Sequence, residues 1–231
     1  MASEPDHRSG RWFQRGPGLT WVQKSLVIGA VVALLWMRFV PNRLGPRVVV
    51  DSVLLIGGPL ALGLSHGNRI GWRIDRLAVR NTILLALFVI PFYVVGSTFP
   101  TIRAFYPIWE TSAAPATFVP HALRLMVLAL AAETYYRGLL CVGVRELGFV
   151  AVFISPVVYM LHHSSKPPIE FLLSGPTDVL FGAVDYKSNS ILPSVLAHGG
   201  GLVLLDWLVL HEPLFDPSIV VQYLEWLPVP L

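Results

Sequence analysis

The sequence predicts an all-α fold, a polytopic transmembrane helix bundle of about seven spans. Three observations lead there. Of 231 residues, 54% are hydrophobic and only 13% charged, against about 25% charged in soluble domains. The mean hydropathy is +0.63, more apolar surface than a water-soluble domain of this size could hide, so soluble globular and disordered classes are excluded. Apolar runs close to the roughly 20 residues that cross a bilayer as a helix recur along the chain. The lone cysteine, Cys141, rules out disulfides within the chain and any multi-cysteine metal site. A pI of about 9.2 comes with no basic stripe interleaved with aromatics, so no nucleic-acid partner is expected.

Residues 1–20 form a polar tail carrying Arg8, Arg11 and Arg15, and the first apolar run starts near Ser25, too late and without a small-residue cleavage site for a removable signal peptide. Spans are predicted at 24–40, 48–64, 82–98, 119–144, 149–165 and 191–210. A weaker segment at 171–186, interrupted by Gly175-Pro176 and carrying Asp178 and Asp185, makes seven. Four regions follow: the tail 1–20, N-terminal spans and loops 21–115, a core 116–211 holding the polar motifs, and a proline-rich C-terminal tail 212–231. Arg69, Arg73, Arg76 and Arg80 crowd one loop, and by the positive-inside rule this sets the N-terminus in the cytoplasm of a multi-pass cell-membrane protein.

Ionisable side chains at bilayer depth cost about 2.5–3.5 kcal/mol each on insertion scales, so each marks a candidate site. Glu133 and Arg137 lie mid-span and four apart, hence on one helix face and able to pair. The fifth span ends in Tyr159-Met160-Leu161-His162-His163, and the seventh begins His198-Gly199-Gly200-Gly201. Glu133 and His163 are equidistant from Gly148 in the intervening turn, about 15 residues or ~22 Å of helix away, so an antiparallel hairpin puts them at one depth. His198 can join them from a third helix.

A carboxylate beside an imidazole can take a proton from water and aim the nucleophile at an amide carbonyl. A second imidazole, with exposed glycine backbone, can donate to the developing oxyanion. The candidate catalytic residues are therefore Glu133, His163, His198 and Arg137, with Tyr159 and His162 supporting. No cofactor is expected. The same groups could ligate zinc as two histidines and a glutamate, but no H-E-x-x-H backs this, since Phe215 stands where a second histidine would follow His211-Glu212.

These segments resemble the CPBP family of intramembrane endopeptidases, which includes type II CAAX prenyl proteases and bacteriocin-processing or immunity proteins. Its motifs read E-E-x-x-x-R, F-x-x-x-H and H-x-x-x-N. Here they look like Ala132-Glu133-x-x-x-Arg137-Gly138, Tyr159-x-x-x-His163 and His198-x-x-x-Leu202, across about 120–210. The resemblance implies a glutamate-dependent, metal-independent protease in the bilayer that cuts a membrane-anchored protein or peptide. Two positions depart. Ala132 stands where the family's first glutamate, usually taken as the base, belongs, and Leu202 replaces the asparagine. Glu133 could act as base if the helix turns by about one residue, near 100°. Asp178 and Asp185, seven apart, share a face and read first as membrane-edge polarity, second as a spare carboxylate. Asp206 could take up part of the asparagine's role. The alternative is a catalytically inactive relative that binds peptide or lipid, or confers immunity. A transporter fits least, because the first three spans carry almost no intramembrane charge.

Other signals weigh less. Gly63-Leu64-Ser65-His66-Gly67 fits G-x-S-x-G, yet closes an apolar helix instead of following a strand. Trp72 to Arg76 reads as a topogenic loop, and Cys141 as a small packing residue.

Overall fold

The computed structural model describes residues 18–231, so the predicted tail arginines Arg8, Arg11 and Arg15 lie outside the described residues. Among those described there are helices and no strands. In order the helices are α1 (Trp21–Phe39), α2 (Leu44–Ser65), α3 (Arg76–Gly96), the short α4 (Pro100–Phe105), α5 (Pro115–Val142), α6 (Arg145–His162), α7 (Pro168–Ser188), α8 (Leu192–Val209) and the peripheral α9 (Pro217–Leu224). Six are long and apolar enough to cross a membrane. The seventh long helix, α7, reaches 21 residues but carries Glu170, Asp178, Asp185 and Lys187. Exposed Leu34, Leu84, Leu87, Phe92, Leu123 and Val157 face outward, as lipid-facing surface must. The protein is a multi-pass membrane protein.

Local chemistry explains the ends. Thr20 and Gln23 form a reciprocal capping box that opens α1. Asp75 accepts the Ala78 amide at 2.9 Å and opens α3, and that backbone bond holds its carboxyl below the usual range. The weak predicted segment is in fact the unbroken helix α7, because Pro176 sits inside it without ending it. Lipid offers no alternative partner for a broken backbone, so a proline there is accommodated. The α5–α6 turn falls where the hairpin argument put it, with Gly148 at φ +70°, the left-handed region glycine enters freely.

Helix α8 is the hub. It packs most extensively against α3 and next against α5, so packing runs between the N-terminal spans and the motif-bearing core. Its glycine triplet makes this possible. A Cβ on Gly201 would fall 2.1 Å from the Tyr93 ring of α3, and one on Gly199 would fall 2.8 Å from the Met126 sulfur of α5. Gly199 and Gly201 are buried contact points, not the exposed backbone expected; small residues let membrane helices approach closely. Gly200 faces outward with nothing near it.

The loop before α3 inserts Ile70 and Gly71 into the bundle. Ile70 is fully buried, and its carbonyl oxygen lies 2.9 Å from where a Cβ on Gly138 would sit. Trp72 donates its indole N–H to Thr134 Oγ1 at 3.2 Å, while the Ile191 amide donates to Gly71 O at 3.0 Å. The C-terminal segment is also anchored: Val220 and Leu224 of α9 pack with Phe99 and Ile102.

Replacing Gly201 with Ala should lower stability by about 1–3 kcal/mol through overpacking against Tyr93, read as a drop in thermal unfolding midpoint in detergent. Gly200→Ala should leave that midpoint unchanged.

Candidate active site

The site begins where α5 changes winding. Glu133 ends its α-helical part, and Thr134–Val142 continue as a π-helix, a form that recurs at functional sites. All of Glu133 to Val142 is buried. Glu133 and Arg137 have no solvent exposure, and Arg137 Nε lies 3.0 Å from Glu133 Oε2. The guanidinium also reaches α7, with an Nη 2.9 Å from Asp178 Oδ1. These contacts lie off the ideal hydrogen-bond axis; Coulomb attraction in a dry interior binds them. Ser155 at the start of the α-helical part of α6 donates to Asp178 Oδ2 at 2.5 Å. The Tyr159 ring covers the guanidinium carbon at 4.7 Å, a cation–π contact.

His198 completes this buried chain. Its Nδ1 lies 2.6 Å from Glu133 Oε1, and because a carboxylate only accepts, Nδ1 carries the proton and Nε2 is left for the pocket. The His198 side chain is 14% exposed where Glu133 is 0%. The imidazole is thus the part of the pair that water or substrate can meet.

His163 reaches the same centre by a different route. It does not bond Glu133. Its ring packs on Tyr159 at 4.0 Å, and the other side of the Tyr159 neighbourhood meets His198 at 6.5 Å between ring centroids. His163 Nδ1 donates to its own helix, to Tyr159 O at 2.8 Å. Its Nε2 faces Glu170 Oε1 of α7 at 4.0 Å. Glu170 accepts from Tyr106 at 2.8 Å and pairs with Lys166 at 3.1 Å, and Lys166 donates to the Tyr106 hydroxyl at 2.6 Å. Burial in this loop pushes the Lys166 ammonium down, against the pull of Glu170.

Some sequence expectations change. His162 turns away from the centre, stacks on Trp36 at 4.4 Å and bonds the Tyr136 hydroxyl, so it supports α1 packing instead of the site. Asp178 and Asp185 are fully buried, not membrane-edge polarity. Asp178 is the second anion of Arg137, and Asp185 takes the hydroxyl and amide of Ser194, capping the first turn of α8. Asp206 pairs with His121 of α5 at 2.7 Å, a second carboxylate–imidazole bridge between the same two helices. Ala132 packs against the apolar cluster around Tyr135 and Leu139, and Leu202 against that of Phe99 and Leu205. Glu133, the expected base, is enclosed, with one oxygen on His198 and the other on Arg137.

Sequence reasoning missed Glu170, Lys166, Tyr106 and Ser155. The Lys166–Glu170 spacing of four, straddling Pro167-Pro168 at a helix start, was the available signal. Ser65 ends α2 on the exposed surface, donating to Leu62 O at 2.8 Å, so the G-x-S-x-G match is no nucleophile elbow. Cys141 is buried against Gly182. Among the described residues, no three His, Cys, Asp or Glu side chains group as a metal ion would need.

The fold and this centre define a multi-pass membrane protein with a buried Glu–Arg–Asp network that presents a histidine. Residues 114–201 match the family model described as type II CAAX prenyl endopeptidase Rce1-like. The matched stretch runs from the start of α5 into α8 and holds Glu133, Arg137, His163 and His198, so the resemblance to the CPBP endopeptidases holds there. That stretch is similar to CAAX-protease-type intramembrane endopeptidases. No curated protein matches the chain, and no solved structure matches it.

Arg137→Met should destabilise the protein by about 3–5 kcal/mol, because it leaves two buried carboxylates without their cation. Unfolding in detergent reads this. Adding Asp178→Asn to the same chain should recover part of the loss, since one of those charges is gone.

Proposed function

We propose that this protein is an intramembrane endopeptidase that hydrolyses a peptide bond of a membrane-anchored protein or peptide, using water and its own side chains without a cofactor or metal. The observation that carries the reading is the 2.6 Å contact between buried Glu133 and half-buried His198, within the stretch that matches the endopeptidase family. Glu133, closed off from water, acts through His198. With both nitrogens protonated, the ring directs Nδ1–H at Glu133 and Nε2–H into the pocket. A preformed donor in a dry site stabilises the oxyanion of the tetrahedral intermediate as it forms. Arg137 and Asp178 hold Glu133 in place, and Tyr159 packs between the guanidinium and the two histidines. His163, its Nδ1 committed to a carbonyl, offers Nε2 to take the proton from water. In this reading the N-terminus is cytoplasmic, in the cell membrane.

The second reading is a non-catalytic relative that binds peptide or lipid in the same pocket or confers immunity. It is favoured by the enclosure of Glu133 and by the apolar surroundings of Ala132 and Leu202.

Protein reconstituted in vesicles and given an internally quenched prenylated CAAX peptide should cleave it. Glu133→Gln and His198→Ala should each lower kcat by about 10²–10³-fold. Unchanged cleavage in both variants would reject the proposed centre, and a wild-type protein that never cleaves would favour the binding reading. Leu202→Asn should give no gain in rate, because position 202 packs among apolar side chains.

A further inference from the structure

The enclosure of Glu133 leaves a question that the proposed endopeptidase must answer: which carboxylate meets the attacking water. We infer that Glu170, on α7, is a catalytic residue, which holds the nucleophilic water while His163 deprotonates it; this rests on the endopeptidase reading above.

The argument is one of donors and acceptors. His163 Nδ1 faces the Tyr159 carbonyl at 2.8 Å, and a carbonyl can only accept, so the neutral ring carries its proton on Nδ1 and a lone pair on Nε2. That Nε2 looks at Glu170 Oε1 across 4.0 Å. The gap is too long for a direct hydrogen bond, and two acceptors facing each other gain nothing from closing it. A water ~2.8 Å from both atoms fits the gap and donates one hydrogen to each. Both its protons are then occupied, and a lone pair on its oxygen points away from both acceptors.

The surroundings suit this role. The His163 side chain is 16% exposed and that of Glu170 is 22%, so water can enter, which it cannot at Glu133. Tyr106 donates to Glu170 at 2.8 Å and Lys166 lies 3.1 Å from it. These two partners fix its rotamer. The Tyr159 ring packs on His163 at 4.0 Å and lies 6.5 Å from His198, so the imidazole that would take the proton, with Glu170 beside it, and the one that would stabilise the oxyanion, with Glu133 behind it, are neighbours of one side chain.

The reaction balances. The water proton passes to His163 Nε2 while its oxygen bonds the carbonyl carbon, and the C=O π pair moves onto the oxygen, stabilised by His198. The intermediate collapses, the C–N bond breaks, and the amine leaves with the proton from His163. Peptide and water become a carboxylic acid and an amine, and Glu170 remains a carboxylate throughout.

The test uses the full-length protein in vesicles with the quenched prenylated CAAX peptide. Glu170→Gln should keep the fold and KM but lower kcat about 100-fold, and Glu170→Asp, which keeps the charge and shortens the reach, should fall between that and wild type. Tyr106→Phe should cost less than either. Wild-type rates in Glu170→Gln, alongside a dead Glu133→Gln, would overturn this inference and leave the endopeptidase reading intact. Should Glu170→Gln fail to fold, a Glu170→Asp variant as fast as wild type would overturn it equally. A wild-type protein with no cleavage would overturn both.

Discussion

A single guanidinium organises the interior. Arg137 lies wholly inside a lipid-embedded bundle, where a lone charge is costly to insert, and it is tolerable only because Glu133 and Asp178 meet it from two sides. That requirement draws α5 and α7 together and, through Ser155, the beginning of the α-helical part of α6. It also dictates the environment of Glu133, whose remaining oxygen has one place to go, the His198 imidazole of α8. Four helices thus converge on one ionic knot. Remove the cation and the reason for their arrangement goes with it.

Around this knot the polar residues divide by depth of enclosure. The Glu–Arg–Asp part is dry and serves orientation, since each carboxylate faces the one guanidinium and no solvent reaches them. The histidines, with Glu170 and Lys166, border the opening and are partly exposed. Tyr159 is the partition, its ring packed on Arg137, on His163 and towards His198. Enclosure of charge strengthens each electrostatic contact in the dry part, and the partial exposure beside it is what lets water take part. The glycines of α8 matter here indirectly. By letting α8 settle against α3 and α5, they carry His198 to bonding distance of Glu133.

Much of this was readable from the residues. The seven long helices, the shared face of Glu133 and Arg137, and the apex at Gly148 follow from hydropathy and helix periodicity, because in lipid each span must satisfy its own backbone. The identity of the polar motif residues also sufficed to suggest the family that the matched segment bears out. Other features were not readable. The pairing of Asp178 is not legible because an acid in an interrupted apolar segment looks the same whether it faces headgroups or an arginine. His162 and His163 are neighbours in sequence with opposite orientations, and only the packing of Trp36 and Tyr159 separates them. The glycine triplet looked like exposed backbone, whereas Tyr93 and Met126 occupy the space beside it.

The sequence alone therefore determined the number of long helices, their approximate extents, and which side chains carry charge into the bilayer. Those depend on local periodicity and on the free energy of transferring each residue into lipid. The tertiary structure decided who partners whom: His198 with Glu133, Asp178 with Arg137, Glu170 with Tyr106, Lys166 and, across a water-sized gap, His163. Such pairings join residues from separate helices, and helix rotation and approach are set by the fit of side chains such as Tyr93 against Gly201, a property of the assembled bundle that no single segment contains.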